Sequence, residues 1–215
     1  MTLQDIKKVT VIGSGTMGNG IAQVFAANWF DVTLVDIRQD FLDRAISTIT
    51  KSFDRIVKKA AMSEEDKSAA LGRIRTSTDL DDARHSQLVI EAIIEDLPTK
   101  LELWKKLEGI CPAETVFASN TSSLPITQLA AATKRADRFI GMHFMNPVPM
   151  MKLIELIRGI ATSDATFALI KELSLKLGKT PVEVNDYPGF IANRILMPMI
   201  NEAIYAHMEG VGTVE

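Results

Sequence analysis

One short stretch, Val9-Thr10-Val11-Ile12-Gly13-Ser14-Gly15-Thr16-Met17-Gly18, constrains the fold of this 215-residue chain more than any other part of it. Four β-formers lead into Gly-x-Gly-x-x-Gly, and helix formers follow from Asn19 to Ala27. Strand, glycine turn and helix in that order are the context in which this pattern marks a dinucleotide-binding unit. Gly13 permits the tight turn, Gly15 lets backbone approach a pyrophosphate, and Gly18 lets helix and strand pack closely. The helix start, with Thr16 and Met17 in its first turn, offers free N–H groups and partial positive charge to phosphates. A second strand pattern, Asp31-Val32-Thr33-Leu34-Val35, ends at Asp36, eighteen residues after Gly18. A carboxylate there binds a ribose hydroxyl and repels a 2′-phosphate, so the expected cofactor is NAD. Arg38 nearby is of the type that accepts a 2′-phosphate, but Asp36, at the strand end itself, outweighs it.

Bulk properties exclude several classes. Lys and Arg number 24 against 27 Asp and Glu, a net charge of −3, so there is no basic footprint for nucleic acid. The single cysteine, Cys111, rules out an internal disulfide framework and suits a reducing compartment. It precedes Pro112 at a helix end and reads as a small buried residue. No apolar run reaches the length of a membrane span. The first strand begins within a few residues of Met1, which leaves no room for a targeting peptide; the expectation is a cytoplasmic protein, or a mature chain whose targeting segment has been removed. No metal site is expected.

Strand and helix patterns alternate almost without break, which predicts an α/β architecture: a Rossmann-type, doubly wound parallel sheet with helices on both faces. Strands are expected at 8–13, 31–36, 73–77, 88–91, 116–119, 139–143, 152–157 and 180–184. A long helix over 39–61, followed by a helix start at Ser63-Glu64-Glu65-Asp66, reads as a helical hairpin projecting from the sheet. Residues 1–186 are assigned to the nucleotide-binding domain. Tyr187-Pro188-Gly189 forms a hinge, and 187–215 holds the apolar first helix of a truncated, all-helical second domain, with another helix beginning at Thr213-Val214-Glu215.

Three segments place polar groups at strand ends, where open α/β sheets bind ligands. Ala118-Ser119-Asn120-Thr121-Ser122-Ser123 follows an apolar strand with small polar residues that could reach a nicotinamide and a substrate oxygen; alone it reads more readily as an ordinary turn. Gly141-Met142-His143 closes another strand and runs into the Pro-rigidified loop Phe144-Met145-Asn146-Pro147-Val148-Pro149. A histidine there can exchange a proton at neutral pH, or be a hydrogen-bonded structural residue. Glu155 sits among apolar residues on a strand and needs a partner, because an unpaired buried charge is costly. His143 as that partner would gain a fixed tautomer and a stabilised imidazolium; the alternative partners are Lys152 and Arg158. His85 and His207 have no such context.

These segments carry a specific resemblance. GSGTMG is shared by many dehydrogenases. SNTSSLPIT at 119–127, HFMNPVPMMKLIE at 143–155 and PGFIANR at 188–194, in that order, resemble the 3-hydroxyacyl-CoA dehydrogenases of the bacterial 3-hydroxybutyryl-CoA type. The resemblance covers essentially the whole chain. It implies an NAD-dependent oxidoreductase acting on L-3-hydroxyacyl-CoA, with short acyl chains. His143 matches the acid–base, Glu155 its carboxylate partner, Ser122 the residue at the substrate oxygen and Asn193 a substrate-side amide. Implied cofactor contacts are Gly13, Gly15, Thr16, Met17, Gly18, Asp36, Ala92, Glu95, Lys100, Asn120, Ser122 and Asn146. Ser52 and Lys59 match positions that meet the CoA portion; beside Lys51, Arg55 and Lys58 they also fit a plain solvated helix face. The resemblance implies a homodimer for the full-length protein, and a longer helical C-terminal domain. Two other functions stay open at this level: an NAD-dependent dehydrogenase of a free hydroxy acid, and a non-catalytic NAD-binding module.

Overall fold

The computed structural model describes residues 1–214. Eight strands form one sheet: β1 (Lys8–Ile12), β2 (Asp31–Val35), β3 (Ile74–Ser77), β4 (Leu88–Glu91), β5 (Val116–Ser119), β6 (Phe139–Phe144), β7 (Leu153–Arg158) and β8 (Thr180–Asn185). Seven α-helices accompany them: α1 (Thr16–Ala27), α2 (Gln39–Lys58), α3 (Glu64–Gly72), α4 (Leu97–Ile110), α5 (Ile126–Ala130), α6 (Asp164–Lys176) and α7 (Ala192–Met208). The strand order is β3-β2-β1-β4-β5-β6-β7-β8. The order reverses between β1 and β4, which makes their C-terminal ends the place where such a sheet opens a crevice.

Burial follows strand position. Every residue of β4, β5 and β6 is buried, because helices cover both faces. The outer strands β3 and β8 are only partly covered, and Pro181 sits in β8, an edge strand where a missing N–H is tolerated. One core cluster joins α1, α2 and α6 to the sheet through Ile21, Phe25, Ile49, Phe53, Ile170 and Leu173. The other joins α4 and α5 through Trp104, Leu107, Ile126 and Leu129. Helix α2 buries Leu42, Ala45, Ile49 and Phe53, a spacing of three and four residues that puts one apolar stripe inward. It packs with α3 as the expected hairpin, laid against α1. Ser63 caps α3 by accepting from Asp66 N.

The alternation of patterns predicts a sheet that is parallel throughout, and the structure departs from this at one pair. β6 and β7 pair antiparallel, whereas every other neighbouring pair is parallel. The reason is the connection: only residues 145–152 join them, and a parallel crossover needs about a dozen residues or more. The expected last helix forms as α7, which buries none of its residues and exposes Ile195, Met197, Met199, Ile204 and Met208. Thr213 and Val214 are not helical, and Glu215 lies outside the described residues. Among the described residues no helix is long and apolar enough to cross a membrane.

Candidate active site

The glycine turn at the end of β1 and the end of β4 border a cavity of about 570 Å³, within the range of small-molecule sites. Gly13 has φ +96°, and a Cβ there would stand 2.6 Å from Ala92 O, so the turn and β4 come too close for any side chain. At Gly18 a Cβ would fall 1.7 Å from Gly13 O, which is the close helix–strand packing the motif predicts. Gly18 is therefore buried packing, and Met17 packs against the core; neither lines the cavity. Gly13, Gly15, Thr16, Asp36 and Ala92 do line it.

Asp36 is held firmly. Its Oδ2 accepts from Ser14 N and Ser14 Oγ, both at 2.7 Å, and its Oδ1 accepts from Ile37 N at 2.7 Å. An ionised carboxylate has about four acceptor positions, so one remains for a ribose hydroxyl. Gly15 caps α1 without a side-chain hydrogen bond, and a Cβ on it would meet nothing within 4 Å. Open space over an uncapped helix start fits a pyrophosphate. These features fit NAD.

The second cluster lies where β6 and β7 pair. Their antiparallel register sets His143 directly opposite Glu155. His143 Nδ1 is 2.7 Å from Glu155 Oε2, and its Nε2 is 3.1 Å from Ser122 Oγ. Glu155 is 1% exposed, and its Oε1 accepts from Ile191 N at 2.9 Å and Ala192 N at 2.8 Å. Burial alone would raise this carboxyl, but the His143 ring and the two N–H groups at the start of α7 together hold it below its ordinary value. Glu155 is thus an ionised acceptor. In the neutral imidazole whose Nδ1 donates to Glu155, the Nε2 lone pair faces Ser122 Oγ. Phe190 covers the imidazole at 5.7 Å between ring centres. Asn193 Nδ2 donates to Ser122 O at 3.4 Å, so all four residues expected in the reaction come together.

A third set of groups supports Ser122. Glu95 Oε1 accepts from Thr121 Oγ1 at 2.5 Å, Ser122 N at 2.8 Å and Ser123 N at 3.1 Å. Burial would raise Glu95, but the Thr121 hydroxyl, the Lys100 charge and the Ser122 N–H lower it overall. Lys100, expected among the cofactor contacts, is 1% exposed, with its Nζ paired to Glu91 and lying 3.3 Å from Glu95 Oε2. Its charge acts on Glu95 rather than in the cavity. Asn120 Oδ1 accepts from Phe144 N at 2.9 Å and ties β5 to β6, while Asn146 is exposed. Ser52 is half-buried on α2 and Lys59 exposed at its C-terminal cap, and neither lines the cavity or joins the His143 cluster.

Two supporting residues escaped the sequence reading. Glu91, fully buried at the end of β4, accepts from Ser119 Oγ at 2.6 Å and Ile93 N at 2.9 Å besides pairing with Lys100. The signal that singled out Glu155, an acid within an apolar strand, was present there too. Asp186 accepts from Ile126 N at 2.9 Å and Thr127 N at 2.8 Å, capping α5 from far along the chain. No local pattern announces such a cap.

Comparison with known proteins identifies relatives that share this fold. The family model described as 3-hydroxyacyl-CoA dehydrogenase, NAD binding domain, matches residues 8–187. The probable 3-hydroxybutyryl-CoA dehydrogenase of Bacillus subtilis is 49% identical over 211 residues, covering 98% of this chain and 74% of that protein. The 3-hydroxybutyryl-CoA dehydrogenase of Bradyrhizobium diazoefficiens is 53% identical over 210 residues, covering 98% and 72%. The crystal structure of (S)-3-hydroxybutyryl-CoA dehydrogenase from Ralstonia eutropha superposes with a TM-score of 0.95 at 49% identity, over 98% of this chain and 74% of that one. On the matched domain, the identities and the shared fold, this chain belongs to the 3-hydroxyacyl-CoA dehydrogenase family.

Proposed function

We propose that this chain interconverts L-3-hydroxyacyl-CoA and 3-ketoacyl-CoA with NAD, and that 3-hydroxybutyryl-CoA is its substrate type. The observation that carries the reading is the His143 imidazole, held by ionised Glu155 at Nδ1 and turned to Ser122 at Nε2. In the oxidative direction His143 Nε2 takes the proton of the C3 hydroxyl. Glu155 stabilises the imidazolium that forms. The Ser122 hydroxyl and the Asn193 amide hold the substrate's hydroxyl and thioester carbonyl in line for reaction. Bound NAD supplies the acceptor for the C3 hydride. Gly13, Gly15, Thr16, Asp36 and Ala92 border its place, and Glu95, Asn120 and Asn146, which follow the ends of β4, β5 and β6, are assigned to its contacts. Ser52 on α2 and Lys59 just past its end, beside the exposed cations Lys51, Arg55 and Lys58, are assigned to the CoA portion.

Residues 187–215 are assigned to the start of a helical second domain through which the protein forms a homodimer; the unburied apolar side chains of α7 support this. The single free Cys111 suits the cytoplasm.

The test is NADH consumption with acetoacetyl-CoA, beside free acetoacetate and a His143→Ala variant. Consumption of the thioester alone, lost in the variant, is expected. Equal consumption of the free acid, or full activity without His143, overturns the reading.

A further inference from the structure

Asp36 and Arg38 pull in opposite directions on cofactor choice, since an acid at the strand end favours NAD and a nearby arginine favours NADP. The side chain that settles the conflict is Asp40, which stands outside the His143 cluster and does not itself line the cavity. Arg38 precedes α2 and forks onto Asp40, with Nε 2.7 Å from Oδ1 and its terminal nitrogen 2.9 Å from Oδ2. Arg44, one turn on, donates to the same Oδ2 at 2.7 Å. The two guanidinium carbons lie 4.6 Å and 4.7 Å from the Phe41 ring centre. Phe41, Arg44 and Asp36 line the cavity, so this cluster stands at its edge.

We propose that Asp40 is a specificity-determining residue: it holds Arg38 and Arg44 in a closed cluster and so denies the 2′-phosphate of NADP a cationic partner. Reading a phosphate well requires a guanidinium fork with both arms available. The fork of Arg38 is filled by the Asp40 carboxylate. Two acids and two arginines also leave the edge without net positive charge, whereas a 2′-phosphate brings a charge of about −1.5 to −2. The ion pairs are half exposed, and an exposed pair is worth little unless it is bidentate or part of a network. Here it is both. Selectivity therefore rests on two acids, Asp36 facing the ribose and Asp40 disabling the arginines.

This inference rests on the reading of the cavity as the NAD site, and fluorescence titration of NADH and NADPH tests both. Four proteins are compared: the unaltered chain, Asp36→Ser, Asp36→Ser with Asp40→Ser, and that pair with Arg38→Met. Adding Asp40→Ser should improve NADPH relative to NADH by about twofold to fivefold over Asp36→Ser alone, the scale of an exposed but forked ion pair. Arg38→Met should remove the gain. An unchanged NADPH-to-NADH ratio overturns the proposal, as does a gain that survives loss of Arg38. Failure of the unaltered chain to bind NADH overturns the cavity reading itself. Asp40→Ser with Asp36 intact supplies the same ratio should the double variant not fold.

Discussion

Glu155 and Cys111 show burial acting on ionisable groups in opposite ways. At Glu155 the desolvation cost is offset by the His143 ring and two backbone N–H groups, so the buried carboxyl stays ionised. Glu155→Gln keeps the shape and removes the charge proposed to stabilise the imidazolium. Turnover should fall by roughly 10²- to 10⁴-fold with NADH affinity retained, as read by steady-state kinetics beside a binding titration. Near-normal turnover would exclude Glu155 from the reaction. The same lowered carboxyl contributes to stability: its share is present in full above its ordinary value of 4.5 and is lost as pH falls through the lower native value. Melting scans from about pH 6 to about pH 3 should therefore show a smaller acid loss in Glu155→Gln than in the unaltered chain. Cys111 has no comparable partner, and burial pushes its thiol up to about 11. It should react slowly with a thiol-specific disulfide reagent at neutral pH and promptly once denaturant is added. Glu155 was legible from its apolar neighbours; Glu91 satisfied the same criterion, but its partner lies on the next helix and its role shows only in space.

At the scale of elements, the loop that carries Ser122 and the helix start that carries Asn193 are pinned by contacts remote in sequence. α5 begins at Pro125, whose own side chain offers no cap, and Asp186 supplies the acceptors instead. Asp186→Ala should lower stability by about 1 kcal/mol, as loss of a helix cap does, and urea unfolding will measure it. Turnover should fall as well, because the loop from Thr121 to Pro125 leads directly into that cap. Wild-type stability in the variant would show that the cap is idle. The β1–α1 junction is less forgiving. Gly18→Ala puts a methyl group 1.7 Å from the Gly13 carbonyl oxygen, so backbone must move at the cavity edge. NADH binding should weaken at least tenfold with a lowered melting temperature, the combination expected of a displaced tight turn. Both helix starts and strand bounds were largely legible, because apolar periodicity, Ser63 and the glycine turn are local signals. The direction of β7 was missed, although the short 145–152 connection contained the reason.

At the scale of the whole molecule, one sheet brings two working regions to its strand ends, and α7 touches that unit mainly through its first turn on Glu155. The remainder of α7 presents Ile195, Met197, Ile200, Ile204 and Met208 to solvent. This chain should self-associate in a concentration-dependent way during sedimentation, and Ile200→Glu with Ile204→Glu should shift it toward monomer. A strictly monomeric chain at high concentration would contradict that. The sequence by itself determined what local chemistry encodes: the βα nucleotide unit, the alternation of strands and helices, the acid at the end of β2, and the residue types of the reaction. Only the tertiary structure decided how those residues meet. It turned β7 antiparallel so that Glu155 faces His143, laid the start of α7 on Glu155, buried Lys100 between Glu91 and Glu95, and closed Asp40 over Arg38. The physical reason is range: turns, caps and periodicity act over a few residues, whereas ion pairs and strand register join groups that only the folded chain brings within bonding distance.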